Sequence, residues 1–395
     1  MNINIVQQIK QHCIDFVSED EFLQRFQAKK KLRIKLGADP TAPDLHLGHA
    51  VVLHKLKLFQ DLGHDIIFVI GDFTAMIGDP SGRSKVRKPL SMEEIKNNAK
   101  TYFQQVSSIL DISKTEIRYN SEWLSSISMA ELVKIMSNFT LSQILARDDF
   151  SKRYRNNQPI YFHEFLYPLM QAYDSVAIHA DVELGGSDQT FNLLLGREMQ
   201  LYFCQDPQII LTMPLLVGLD GTAKMSKSLN NYIGITENAQ DIFGKTMSIP
   251  DHLIVPYFEL VLFYTSVELD QIKQRLSMEN PMEIKMELAF LITEKYSSSE
   301  AAQLAKENFI RIHRNKEKPE EWIELVIEQE KDSSLFLVLY ELGISKSKSE
   351  ARRLIEQGGV MWNNEKMNDP HHEVRLANET HIKVGKRLFY RIVIR

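Results

Sequence analysis

At 395 residues the chain exceeds one ordinary core, so two or three domains are expected. With 44% hydrophobic and 25% charged residues it has the balance of a globular protein rather than a disordered one, and no apolar run approaches the ~18 residues that cross a bilayer. The net charge of -5 argues against a nucleic-acid partner until its placement is considered: residues 331–395 hold 12 Lys/Arg against 8 Asp/Glu, a net of +4, and the rest carries the acidity.

Cys13 and Cys204 are too few and too far apart for a disulfide scaffold or a Cys-rich zinc site. The first ten residues lack a basic flank followed by an apolar block, so no secretory signal is expected and a reducing cytosol is the expected compartment.

In chain order, Leu32–Gly37 alternates as a strand should. Pro40, Pro43 and Gly48 punctuate a loop, and a helix is predicted from about 49 to 62, with Val52, Leu56 and Phe59 on one face and Leu53 beside them. Ile66–Ile70 is a short continuous apolar run suited to a parallel strand buried on both faces. Strand, helix, strand within forty residues is a βαβ unit and predicts an α/β fold on a doubly wound parallel sheet. Residues 92–174 read as mainly helical. The alternation then returns: Val182–Leu184 enters Gly185-Gly186, Ser187 or Asp188 can cap a helix running to about Phe203, and Ile209–Met213 is another strand.

Residues 250–313 carry helical periodicity with few glycines, which predicts a small helical domain. Arg314–Asp332, rich in Glu and Lys, reads as a polar connection with one helix around Trp322–Gln329. In the tail, Ser347–Glu350 matches a capping box and Gly358-Gly359 can end the helix it starts. Hairpins are predicted at Asn363-Asn364 and around Gly385.

Three stretches could carry chemistry. In the first, His46 and His49 stand three residues apart at a helix start, with Gly48 between them to let a ligand approach the backbone. A helix N-terminus favours anions, so a phosphate or adenine site is one reading and simple packing the other. In the second, Gly78–Arg87 follows a buried strand with Arg83, Lys85 and Arg87. It is a phosphate cradle or a turn with a basic flank, and it lacks Walker spacing. In the third, Lys224-Met-Ser-Lys227-Ser228 follows the second βαβ half as a cationic loop able to clasp a polyphosphate, or as a solvated linker. Separately, Tyr167, Gln171 and Asp174 are spaced i, i+4, i+7, so one helix face presents a phenol, an amide and a carboxylate. A buried polar network without a ligand is the competing account.

His46-Leu-Gly-His49 and Lys224-Met-Ser-Lys-Ser228, about 180 residues apart, resemble the paired signatures of the class I aminoacyl-tRNA synthetases. The blocks Asp39-Pro-Thr41, Gly78-Asp79-Pro-Ser-Gly82, Tyr167-Pro-Leu-Met-Gln171-Ala-Tyr-Asp174 and Gly185-Gly186-Ser-Asp188-Gln189 are similar, in order, to the bacterial tyrosyl-tRNA synthetase family, and the tail resembles an S4-type RNA-binding domain. The resemblance implies a Rossmann-type catalytic domain over 1–230 with a helical insertion at about 92–174, a helical tRNA-associated domain over 231–313, a linker over 314–332 and an S4-like domain over 333–395. It implies tyrosine activation with ATP and Mg²⁺, then transfer to tRNA, in a homodimer joined near residues 110–170.

By the same resemblance, His46, His49, Lys224, Lys227, Arg83 and Arg87 are catalytic, acting on ATP phosphates and pyrophosphate. Asp39, Thr41, Gly48, Gly186 and Asp188, with Lys227, bind the nucleotide. Asp79, Tyr167 and Gln171 hold the tyrosine ammonium, Gln189 sits by its carboxylate and Asp174 accepts its phenol proton. Lys346, Lys348, Arg352 and Arg353 meet tRNA. Two departures stand out: many family members have Tyr at Lys35, where it touches the substrate hydroxyl, and Gln at Glu183. Lys35 therefore faces tyrosine, points away or acts through water. The alternatives are a tryptophan-specific sibling, a non-catalytic RNA-binding protein on the same scaffold, and a nucleotide hydrolase. Asp174 and the tail argue against the first, the intact His and Lys signatures against the second, and the lack of a water-activating motif against the third.

Overall fold

The computed structural model describes residues 3–28, 31–40, 44–80, 92–314, 322–385 and 388–394. The chain divides into two compact units, Met1–Lys306 and Glu307–Arg395.

Among the described residues the first unit is built on six strands: β1 (Asp15–Val17), β2 (Arg33–Ala38), β3 (Asp65–Ile70), β4 (Thr115–Tyr119), β5 (Val182–Gly186) and β6 (Ile209–Met213), ordered β1-β6-β5-β2-β3-β4. All neighbours are parallel except β1, which runs antiparallel to β6. This is the predicted α/β doubly wound sheet. The apolar runs of β3 and β6 are buried, as strands covered on both faces must be. Connections leave β2 and β5 in opposite directions, so their carboxyl ends diverge, and open α/β sheets form their ligand crevice at such a switch point.

Three details differ from the sequence reading. β4 lies inside the stretch read as helical; it is a half-exposed edge strand with only Ile117 as an aliphatic residue, so local pattern carries little signal. In the Leu47–Asp61 helix, Val52 is only part-buried and lines the cleft, while Leu53, Leu56 and Phe59 enter the core. Neither Ser187 nor Asp188 caps the Thr190–Tyr202 helix; a single 3-10 turn, Ser187–Gln189, precedes it. Beyond residue 239 the unit is helical to its end at Lys306, with Tyr257, Phe258, Ile284 and Leu288 buried in its core.

Among the described residues the second unit has seven strands: β7 (Ile323–Ile327), β8 (Lys331–Ser334), β9 (Val360–Trp362), β10 (Glu365–Met367), β11 (Glu373–Leu376), β12 (His381–Val384) and β13 (Leu388–Ile394). Five form a sheet ordered β10-β9-β12-β13-β7, and β11 pairs with β8. Leu335, Val338, Leu339, Ala351, Ile355 and Ile392 are among its fully buried residues. The β9–β10 hairpin turns on Asn363 and Asn364, both at positive φ (47° and 73°), which a tight primed turn requires. Gly385, at φ 62°, follows β12 at the second hairpin.

Ser347 caps the Lys348–Glu356 helix by accepting from the Glu350 N–H at 3.1 Å, and the Glu350 carboxylate takes the Lys346 N–H instead of closing a reciprocal box. The helix expected around Trp322–Gln329 is strand β7. It pairs in parallel with β13, Ile323 opposite Tyr390 through Ile327 opposite Ile394, and this pairing of β-branched residues overrides the Glu-rich local signal.

A chain cut after Lys331 would keep β7 without β13, its partner, leave its edge open and uncover Leu325 and Ile327, which pack against the second core. It is expected to aggregate, whereas a chain cut after Arg314 stays monodisperse on size exclusion.

Candidate active site

A cavity of about 1100 Å³ opens where β2 and β5 diverge, lined on one side by His46, Gly48 and His49 and on the other by Gly186, Asp188 and Lys224. Asp39, Asp79, Tyr167, Gln171, Asp174 and Gln189 also line it, so residues scattered over 185 positions of sequence reach one space. Lys227 stands half-buried near Asp44. Thr41, Arg83 and Arg87 lie outside the described residues.

At one end of the cavity, His46 precedes the Leu47–Asp61 helix and its backbone N–H donates to His49 Nδ1 at 3.2 Å. The two rings lie 3.9 Å apart between centroids. Burial first, then each other and the loop lysines, lower His46 to about 2 and, for His49, burial followed by those lysines gives about 4; both are neutral near pH 7. With Nδ1 accepting, neutral His49 carries its proton on Nε2. A Cβ at Gly48 would lie 3.0 Å from the His46 ring, so glycine lets the pair stack.

The lysine loop is held by Asn231, which the sequence reading passed over. Its amide oxygen accepts from the Ser226 N–H at 2.7 Å, and its NH₂ donates to the Lys224 carbonyl at 3.2 Å and to the Asp220 carboxylate. Lys224 Nζ donates to Asp188 at 2.7 Å. Lys227 Nζ donates to the Asp44 carbonyl, and burial lowers this ammonium to about 8 while Asp44 opposes the shift.

At the far end, the Leu166–Ala177 helix turns Tyr167, Gln171 and Asp174 to the cavity, as the i, i+4, i+7 spacing predicts. Tyr167 Oη donates to Asp39 at 3.0 Å, and the other Asp39 oxygen accepts from Thr74 at 2.7 Å. Its donor committed, Tyr167 presents oxygen lone pairs to the cavity. A Cβ at Gly71 would collide with Asp39 and Thr74, so this glycine keeps the arrangement open. Gln171 Oε1 and Gln189 Oε1 accept from Asn192 at 2.9 and 2.8 Å, and Gln189 donates to Asp79 at 2.9 Å. Buried Arg147 ties Asp79, Asp149 and Asn192 together, at 3.0, 2.8 and 3.1 Å.

Asp174 accepts from Trp123 Nε1 at 2.8 Å and Asn120 Nδ2 at 3.3 Å. Burial pushes its carboxyl up to about 7, against the pull of Lys35 and these two donors. Lys35 does not line the cavity: it is fully buried and paired with Glu183 at 2.8 Å, so it is no direct tyrosine contact in this arrangement. Trp123, Asn120, Arg147 and Asn192 were not singled out from sequence. No local motif marks them, although Asn192 sits one helical turn beyond Gln189.

The basic cluster of the second unit is on its surface. Lys346, Lys348, Arg352 and Arg353 are exposed at the start of the Lys348–Glu356 helix, Arg352 lying 4.4 Å over the Phe336 ring and Lys348 5.7 Å over Tyr340.

Comparison with known proteins agrees with this geometry. Residues 27–314 match the family described as tRNA synthetases class I (W and Y), and residues 335–380 match the S4 domain. The chain is 48% identical over 385 residues to the tyrosine–tRNA ligase of Aquifex aeolicus, covering 98% of this chain and 97% of that one. It is 50% identical to that of Carboxydothermus hydrogenoformans, covering 98% and 96%. Among solved structures, the tyrosyl-tRNA synthetase of Archaeoglobus fulgidus, complexed with L-tyrosine, shares the fold at a TM-score of 0.63 and 22% identity, over 77% of this chain and 99% of that chain. The chain belongs to the class I tRNA synthetases, in the tyrosine–tRNA ligase family.

The buried acceptor at the cavity floor has a measurable signature. In the ligand-free protein, carboxyl-resolved NMR should find Asp174 titrating near 7 and moving higher in Trp123→Phe, which removes a donor to the charged form; a value near 4 would contradict the description.

Proposed function

We propose that this chain is a tyrosine–tRNA ligase that activates L-tyrosine with ATP in the β2/β5 cleft and passes the tyrosyl group to tRNA. The observation that carries the reading is the cavity itself. It places a buried carboxylate and a helix face of oxygen acceptors at one end, and a cationic loop beside a helix N-terminus at the other. That polarity suits a zwitterionic amino acid with a phenol, set against a polyphosphate.

In the proposed course, Asp174 accepts the phenol proton in hydrogen bonding, and the oxygens of Tyr167, Gln171 and Asp79 receive the ammonium. Gln189 stands by the carboxylate. That carboxylate attacks the ATP α-phosphorus, the bond to the bridging oxygen breaks, and pyrophosphate leaves with its electron pair. The terminal ribose hydroxyl of tRNA then attacks the mixed anhydride, and AMP departs. No covalent enzyme intermediate is required, so the protein acts by positioning and charge stabilisation.

His49, neutral with its proton on Nε2, donates to phosphate oxygens, and His46 packs against it at the helix N-terminus. Lys224 exchanges Asp188 for the phosphates, which frees Asp188, beside Gly186, for the ribose hydroxyls. Lys227 releases the Asp44 carbonyl for the departing pyrophosphate. Asp39 and Gly48 border the nucleotide, and Thr41, Arg83 and Arg87, which lie outside the described residues, keep the nucleotide and pyrophosphate roles that the family resemblance implies. Mg²⁺ is expected to enter with the ATP phosphates, which with water supply its ligands.

Two further parts of the reading concern partners. The exposed Lys346, Lys348, Arg352 and Arg353 serve as phosphate contacts for tRNA. Met129, Val133, Leu141, Tyr154 and Phe162 are each exposed within the 110–170 region, apolar side chains that a homodimer joined there would cover. Among the described residues no helix is long and apolar enough to cross a membrane.

Pyrophosphate exchange comparing tyrosine, phenylalanine and tryptophan tests the reading, with tyrosine alone expected to support rapid exchange. Lys227→Ala should slow adenylate formation by ~10²-fold, ~3 kcal/mol of transition-state stabilisation, and leave tyrosine affinity nearly unchanged; an unchanged activation rate removes Lys227 from the mechanism. Truncation after Arg314 should leave exchange nearly intact while transfer to tRNA collapses, low salt partly restoring it. If exchange and the melting temperature fall together with transfer, the second unit acts through stability instead.

A further inference from the structure

The two departures from the family pattern, Lys35 and Glu183, occupy register-matched positions on adjacent parallel strands β2 and β5. Both are buried, at 0% and 1% exposure, directly beneath the Leu166–Ala177 helix. The Lys35 ammonium has three hydrogens and three partners: Glu183 Oε1 at 2.8 Å, Ser175 Oγ at 2.8 Å and the Gln171 carbonyl at 3.2 Å. The second Glu183 oxygen accepts from Ser175 at 3.0 Å and from Gln208. Room for this comes from Gly196, where a Cβ would lie 3.5 Å from the same oxygen and collide with Gln208. The ammonium is saturated: no donor of Lys35 remains for a ligand.

We infer that Lys35 is a positioning residue for tyrosine recognition, fastening the Gln171–Ser175 turn to the sheet through Glu183 and setting the field at Asp174 without touching the substrate. The inference rests on the reading of the cleft as a tyrosine site. A buried ion pair with all its hydrogen bonds made is a poor source of stability compared with apolar packing, so its presence under a recognition helix calls for another role. Gln171 and Asp174, which the pair underlies, are the groups assigned to the substrate's two polar ends. The charged groups that face Asp174 are Lys35 from β2 and Glu183 from β5; Trp123 and Asn120 face it as neutral donors. Lys35 favours the ionised acceptor and Glu183 opposes it. Where a second phenol contact is absent, recognition of the hydroxyl falls on Asp174, and the lysine acts one layer behind.

The test is tyrosine-dependent pyrophosphate exchange across pH for Lys35→Met, Glu183→Gln and the double substitution. In Lys35→Met the KM for tyrosine is expected to rise about tenfold or more, with the KM for ATP unchanged within about twofold. Its acid limb of kcat/KM for tyrosine should move to higher pH by about one unit. Glu183→Gln should move the same limb to lower pH. The double substitution removes both charges together, and its limb should fall between those of the single variants. Opposite displacements are the signature that loss of packing alone does not give. Limbs that stay fixed or move the same way overturn the inference, as does a KM for ATP that rises in step with that for tyrosine. Should Lys35→Met fail to fold, a lower limb in Glu183→Gln supports the inference and an unmoved one overturns it. Absence of tyrosine-dependent exchange in the unmodified protein overturns instead the reading of the cleft.

Discussion

Asp174 lies between Trp123 and Asn120 in the cleft, where burial, against the pull of Lys35 and these two donors, holds its carboxyl up at about 7. A neutral carboxylic acid there would offer a weaker acceptor to a phenol, so the surrounding groups are arranged to oppose protonation. The two donors stabilise the charged form locally, and Lys35 does so from the strand below. Each of these groups is itself anchored: Asn120 also donates to Thr74, which bonds Asp39, which accepts from Tyr167. One connected set of hydrogen bonds thus runs from Asp174 through Asn120, Thr74 and Asp39 to Tyr167, so these groups hold one another in place.

The opposite end of the cleft follows a different logic. Its two histidines are neutral near pH 7 and so add no positive charge there. Positive charge is kept on a loop whose lysines rest on Asp188 and Asp44. Asn231 fixes the loop's backbone at Ser226 and Lys224 while leaving both lysine side chains able to change partners. A rigid stem with exchangeable tips suits a group that must neutralise charge only as it develops.

Much of this was legible from sequence because the chemistry is written locally. The His46–His49 spacing, the Lys224–Lys227 loop and the i, i+4, i+7 face of Tyr167, Gln171 and Asp174 all depend on neighbours within one or two helical turns. β3 and β6 were readable because a doubly covered strand needs an unbroken apolar run. What escaped is non-local. Trp123 and Asn120 reach Asp174 only after β4 has joined the sheet, and β4 is an edge strand without a strong pattern. Strand β7 is made by β13, more than sixty residues away, and its own Glu-rich surroundings point elsewhere. Lys35 and Glu183 each looked like an isolated departure; their compensation appears only when β2 and β5 are seen side by side.

The most direct measurement is the ratio of kcat/KM for tyrosine to that for phenylalanine, compared between the unmodified protein and Asp174→Asn. A buried site that must pair a hydroxyl rejects an analogue lacking it because its own polar groups are left unpaired. If Asp174 is the phenol's acceptor, replacing the carboxylate with an amide should lower the ratio about 10- to 100-fold, while the KM for ATP holds. A ratio that survives the substitution would contradict the account.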